Sequence, residues 1–152
     1  MNRTAKDMNN HDYFYVRKNG RYEQVRLSEL IFVKALRGYM QLVTENQVYF
    51  VLNTIEEVQR HLPAESFCRT HRSYIVAMKR IKAFDNTTIY LHTPPMGTSY
   101  SNGLARMQEL PLGKAFRKKI REQVRIIPNR MGQKTRRIRE AEFMLEFDLL
   151  EE

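Results

Sequence analysis

Only one cysteine, Cys68, occurs in 152 residues, so no disulfide can form within the chain. A reducing, cytoplasmic setting is expected on that ground. No apolar run approaches the roughly 20 residues that span a bilayer, and no membrane partner is expected. The first twelve residues, MNRTAKDMNNHD, lack the apolar core of a secretory signal; residues 1–12 read as a disordered N-terminus. Acids are scarce where bases are plentiful. Residues 1–128 hold 21 Lys and Arg against 11 Asp and Glu, whereas 129–152 hold 5 against 6. The formal charge of +9 therefore belongs to the main body, which favours a polyanionic partner such as DNA, RNA or an acidic surface.

A catalytic constellation is missing too. Cys68 and His71 have C-x-x-H spacing, but no second Cys or His pair completes a zinc site. Three residues apart on a regular extended segment, the two side chains point to opposite faces, which argues against a Cys–His nucleophile. His11, His61 and His92 stand singly among polar neighbours. Neither a phosphate-cradling G-x-x-x-x-G-K-[ST] loop nor G-x-S-x-G occurs. The expectation is a non-enzyme with no metal and no cofactor.

What the chain does have is strand signal. Tyr13–Arg17 and Tyr22–Arg26 flank Lys18-Asn19-Gly20-Arg21, and Asn-Gly between aromatic and β-branched runs is a strong hairpin cue. Leu27–Leu30 predicts a helical turn or strand corner. A second hairpin follows, Ile31–Ala35 and Tyr39–Thr44 about Leu36-Arg37-Gly38, and Gln47–Leu52 continues after Glu45-Asn46. Asn53 or Thr54 can cap a short helix with Ile55, Val58 and Leu62 on one face and Pro63 as its stop. Phe67–Val76 is β-rich around a polar centre, and Arg80–Phe84 pairs with Thr88–His92. Residues 93–107, with Pro-Pro and two glycines, predict a long exposed loop. Glu109–Leu112 rejoins the sheet. A basic helix is expected over Lys114–Ile127, with Phe116, Ile120, Val124 and Ile127 buried. A separate helix is expected over Gln133–Leu150. The fold class is mainly β, in a domain over 13–127 with a helical tail extension over 128–152.

Three segments offer anion-binding chemistry. In Phe67–Val76, apolar ends bracket Arg69, His71 and Arg72, and an Arg fork suits a phosphate or a guanine edge. The competing reading is a solvated strand edge whose bases prevent aggregation. Lys114–Arg125 holds six bases, Arg117 and Lys118 among them, against Glu122 alone. Gly113 there allows close backbone approach, and N–H groups at a helix start hold phosphates well; the alternative is a plain polar face. Arg37, Tyr39 and Met40, at a strand junction, could stack on bases or line a groove, although a bulge explains them as well.

The order of these pieces resembles a LytTR domain. Phe67-Cys68-Arg69-Thr70-His71-Arg72-Ser73-Tyr74-Ile75-Val76 is similar to that family's F-x-R-x-H-[RK]-S-[YF]-[IV]-V stretch, and Glu109–Arg117 is similar to its closing segment. The resemblance covers roughly residues 13–126. It implies an elongated β-sandwich-like domain with one internal short helix and a C-terminal basic helix, whose loops enter successive major grooves. It implies a bacterial response-regulator output domain of the two-component type, regulating transcription from direct-repeat sites as a dimer on double-stranded DNA. Arg72 and Lys114 would contact bases or phosphates and the Arg37–Met40 loop would add a third contact, with Arg69 and His71 as supports or phosphate contacts. Lys34 stands where an acid is common, Ala77 where Asn often follows, and Lys114 where Arg is frequent. No receiver-like segment is seen, so a stand-alone regulator or an excised output domain is expected. From the residues alone, an RNA-binding or ribosome-associated protein and a non-enzymatic adaptor remain alternatives. The tail, with Ile138, Ala141, Met144 and Leu145 as a stripe, is expected to dock on the domain or on a second copy, because its basic start and acidic end oppose the helix dipole.

Overall fold

The structure, a computed structural model, describes residues 12–93, 106–128 and 138–145. The expected frayed start (1–11), the loop core (94–105) and the flanks of the tail helix lie outside the described residues. Strands β1 (Tyr13–Lys18) and β2 (Arg21–Arg26) form the first hairpin. Both turn residues have positive φ, 53° at Asn19 and 76° at Gly20, the backbone that a two-residue turn between right-twisted strands needs. Residues 27–29 form a turn, as expected for a strand corner. Strands β3 (Leu30–Leu36) and β4 (Tyr39–Thr44) meet across Arg37-Gly38, with Gly38 at φ +79°. Thr44 then closes the turn into β5 (Val48–Val51), its hydroxyl donating to the Gln47 carbonyl at 2.6 Å.

Helix α1 (Ile55–Arg60) is capped by Thr54 rather than Asn53. The Thr54 hydroxyl accepts from the Glu57 N–H, while the Glu57 carboxylate accepts from the Thr54 N–H. This reciprocal arrangement satisfies two of the donors a helix start leaves open. Asn53 donates instead to the Glu57 side chain.

Strands β6 (Phe67–His71) and β7 (Tyr74–Ala77) complete a five-stranded antiparallel sheet in the order β5-β4-β3-β7-β6. A second sheet, in the order β10-β9-β8, holds β8 (Ile81–Phe84), β9 (Thr88–Thr93) and β10 (Arg106–Pro111). Here the sequence reading is corrected. Residues 106 and 107 are strand, not loop, because Arg106 pairs with Thr93 and Met107 with His92.

Alternation along the strands divides the buried residues into two cores, one on each face of the five-stranded sheet. Val33, Leu42 and Ile75 meet Val16 and Val25 of the first hairpin and Ile55 and Leu62 of the α1 region. Phe32, Val43 and Val76 meet Ile89, Leu91 and Leu110 of the second sheet and Ile120. The five-stranded sheet is thus the middle layer. Polar contacts pin the outer layers: Lys18 donates to the Gln47 side chain at 2.8 Å, and Arg80 donates to the Ser28 carbonyl at 2.8 Å and pairs with Glu45.

The basic helix is shorter than expected. A 3-10 turn over Lys114–Phe116 leads into α2 (Arg117–Gln123), and Val124 is already extended. Ile120 is fully buried and Phe116 and Val124 pack beside it. Ile127 is 95% exposed, so no apolar surface supports the helix that far, and Pro128 disfavours helical backbone before it. Residues 138–145 are helical. Ile138, Met144 and Leu145 are exposed, at 41%, 62% and 63%, so the expected apolar stripe is not buried among the described residues.

Two substitutions check the local physics. Thr54→Ala should cost about 1 kcal/mol in urea unfolding with an unchanged m-value, the usual effect of losing a cap. Gly38→Ala should cost about 1–2 kcal/mol for a side chain held at positive φ. No steric clash contributes, since an added Cβ at Gly38 meets nothing within 4 Å.

Candidate nucleic-acid interface

Strand pairing brings distant basic segments to one end of the middle sheet. Strand β3 pairs antiparallel with β7, Lys34 opposite Tyr74, and the Ala35 N–H donates to the Ser73 carbonyl at 2.8 Å. The Arg37-Gly38 turn and the Arg72-Ser73 turn therefore sit side by side. The closing segment joins them: the Gly113 N–H donates to the Thr70 carbonyl at 2.8 Å, which sets Lys114 beside the β6–β7 turn. A Cβ at Gly113 would lie 3.1 Å from the Phe116 ring and 3.6 Å from the His71 ring. A side chain there would press on the Phe116 ring, so glycine suits this close approach. The suggested phosphate cradle at that N–H is corrected, because the group is already committed to Thr70. Helix α2 is also too short, and too plainly continued from a 3-10 turn, to serve as an anion site by its start alone.

The nine expected site residues divide by burial. Arg37, Arg72, Lys114 and Lys118 are exposed and free to meet a polyanion, although Lys118 has Glu122 at 4.0 Å. Tyr39 is 37% exposed, its ring 5.7 Å from that of Phe50. Met40 is 5% exposed and belongs to the first core, so the expectation of an exposed contact is corrected; it forms only the floor of a shallow pocket beside Gly38 and Tyr39. Strand alternation explains this, since Tyr39 and Met40 must face opposite sides. Arg117 is half-buried, and its Nε has no hydrogen-bond partner among the described residues.

Arg69 is a brace. Only 11% of its side chain is exposed. Its guanidinium donates to the carbonyls of His71, at 2.8 Å, and Arg72, and to the Gln59 side chain at 3.2 Å. Glu56 lies 3.6 Å away and the Phe116 ring 5.8 Å below. One side chain thus ties the β6–β7 turn to α1 and to the closing segment. His71 is half-buried, and its Nδ1 accepts from the Ser73 N–H at 3.1 Å. Burial, then the neighbouring charges of Arg72 and Arg69, hold its pKa below the usual value. The neutral ring with its proton on Nε2 is the form this geometry favours, leaving Nε2–H as a donor.

Lys34 was not singled out as a site residue. It lies at the β3 end between the two turns, its ammonium 5.9 Å from the Tyr74 ring centre. Only the β3–β7 pairing reveals that position. Strict alternation does not separate Cys68 from His71, because the β6–β7 register shifts between Arg69 and His71. Burial does: Cys68 is 1% exposed inside the second core, and desolvation pushes its thiol pKa up.

The family model for the LytTr DNA-binding domain matches residues 20–125. The chain belongs to the LytTR DNA-binding domain family. The matched span takes in all three basic segments and leaves the tail helix outside. A solved LytTr DNA-binding domain from Bacillus cereus shares this fold, with a TM-score of 0.56 at 21% identity, covering 74% of this chain and 95% of that one. The "Sensory transduction protein LytT" of Bacillus anthracis is 22% identical over 102 residues, 67% of this chain. The chain matches 38% of that protein's length. This LytTR domain is a DNA-binding module, mostly β, and no described helix is long and apolar enough to cross a membrane.

Arg69→Ala should lower stability without DNA by about 1–3 kcal/mol, because several carbonyls and a carboxylate lose a charged donor. Arg69→Lys should not restore it, since one ammonium cannot span the same acceptors. Melting curves of the free protein check both. The depressed His71 pKa has a definite sign: the folded state resists the proton more than the unfolded chain does. Its contribution is fully present above the unfolded value near 6.5 and is lost as pH falls through the lower folded value. Unfolding free energies measured down from neutral pH should decline in that window, and less steeply for His71→Gln.

Proposed function

We propose that this LytTR domain recognises specific duplex DNA sequences through its turns and acts in transcription regulation. The observation that carries the reading is the convergence of Arg37, Arg72 and Lys114, far apart in sequence, on one end of a rigid sheet. Turns braced from behind are suited to entering successive major grooves, where a planar Arg fork can take guanine O6 and N7 together. Arg72 is the best candidate for base readout, because Arg69 and His71 fix the backbone on both sides of it. Arg37 and Lys114 flank it, and Lys118 and Arg117 extend the basic surface toward phosphates. Lys114, a point charge rather than a fork, suits a phosphate. Tyr39 can pack along the groove wall.

The match to a sensory transduction protein supports an output role of the response-regulator type, in a cytoplasm whose reducing state keeps Cys68 free. Pairs of domains on direct-repeat sites follow from the family resemblance. A domain of this size reads only a short stretch, and two copies on one duplex would raise specificity.

Selection from a random duplex pool should return a defined motif. Arg72→Ala should weaken binding to that motif by about 1–3 kcal/mol and relax preference at one position, while Lys118→Ala should weaken all sequences alike and lower the salt slope by about 1. Equal loss on all sequences for Arg72→Ala would make it a phosphate contact. Structured RNA that outcompetes the duplex at matched salt would favour the RNA-binding alternative.

A further inference from the structure

Two apolar surfaces of this chain are uncovered, and they are complementary. The first is a groove of about 550 Å³ between the β1–β2 hairpin, β5 and α1, with Phe14, Val16, Leu42, Val51 and Leu62 in its lining. Tyr15, Phe50 and Leu52 stand at its mouth, exposed at 56%, 57% and 85%. Strand β5 is the edge of its sheet, so nothing in the sheet continues over that side. Among the described residues, the charged and titratable ones lining the groove are Tyr15, Arg17 and His61, with no acid. The second surface is the tail helix. Ile138, Ala141, Met144 and Leu145 share one face by helical spacing, and the three large ones are exposed. The helix carries Glu140 and Glu142 against Arg139, and four more acids and no base follow in sequence over 146–152, whereas the stretch before it is basic. An apolar stripe in an acidic segment fits an apolar groove flanked by Arg17 and His61.

We propose that the tail helix of one copy docks in the groove of a second copy, and that two chains exchange helices reciprocally. In the single chain the stripe faces solvent, so its own groove is not its site. One such contact is small beside the roughly 1,200–2,000 Å² of a stable interface, and a reciprocal pair doubles it and closes the assembly. The chain from Val124 to Ile138 can span up to about 45 Å, enough to reach a neighbour. The mouth of the groove adjoins the basic end of the sheet, with Leu52 beside Gly38 and Tyr39 and the Phe50 ring 5.7 Å from that of Tyr39, so the exchange is tested without DNA.

Sedimentation of the 152-residue chain without DNA tests this. The wild type should form a dimer as concentration rises. Leu52→Glu and Leu145→Glu, both at exposed positions, should each shift the boundary to monomer at the same concentration. An equimolar mixture keeps one of the two tail–groove contacts, so at raised concentration it should show a heterodimer fraction above either variant alone and below the wild type. That recovery also shows that both variants are folded. A wild type that stays monomeric, with the helix docked on its own domain or on nothing, would overturn the proposal. So would variants that remain dimeric, or a mixture without recovery, which would mean that the two surfaces do not meet each other.

Discussion

Strand β3 is buried on both faces, and the other layers are arranged around that constraint. Leu30, Ile31, Phe32 and Val33 are each at most 4% exposed. A strand of this kind cannot lie at the surface of a two-layer protein; it needs apolar cover above and below. The first hairpin and α1 provide one cover, the second sheet and α2 the other. The register shift between Leu30 and Phe32 places Ile31 and Phe32 together in the second core, which lets four consecutive apolar residues be absorbed without exposing one. At about 25 cal/mol per Å² of apolar area removed from water, this strand contributes more to folding than any surface ion pair in the molecule.

The functional end depends on the same strand. Because β3 pairs with β4 on one side and β7 on the other, the turns that leave and enter those partners must lie next to each other. The basic residues at their tips inherit the rigidity of a fully paired, doubly covered sheet. Arg69 adds the remaining constraint, holding the backbone of the Arg72 turn from behind. Charge and structure are divided between neighbours: one arginine is spent on architecture so that the next can face solvent in a fixed direction.

The basic turns occupy one end of the sheet, and the apolar groove lies beneath the β5 edge between the first hairpin and α1. The two surfaces adjoin where the Tyr39 and Phe50 rings meet.

Much of this was legible in the residues. Asn19-Gly20 dictated a turn because few residues other than glycine and asparagine accept positive φ there, and Thr54 with Glu57 dictated a helix start because their side chains satisfy its open donors. The ten-residue pattern at Phe67–Val76 was specific enough to identify the family and to single out Arg72. The sequence alone could not say that Met40 faces the core while Tyr39 faces out, because the phase of alternation is set by which face the sheet buries. Nor could it end α2 at Gln123, since the helix stops where apolar support stops, and that support comes from strands far away in the chain. Local backbone chemistry, by itself, determined the turns, the cap and the family motif. Which arginine is buried as a brace and which one is left exposed, and which turns stand together, was decided only by long-range strand pairing and burial.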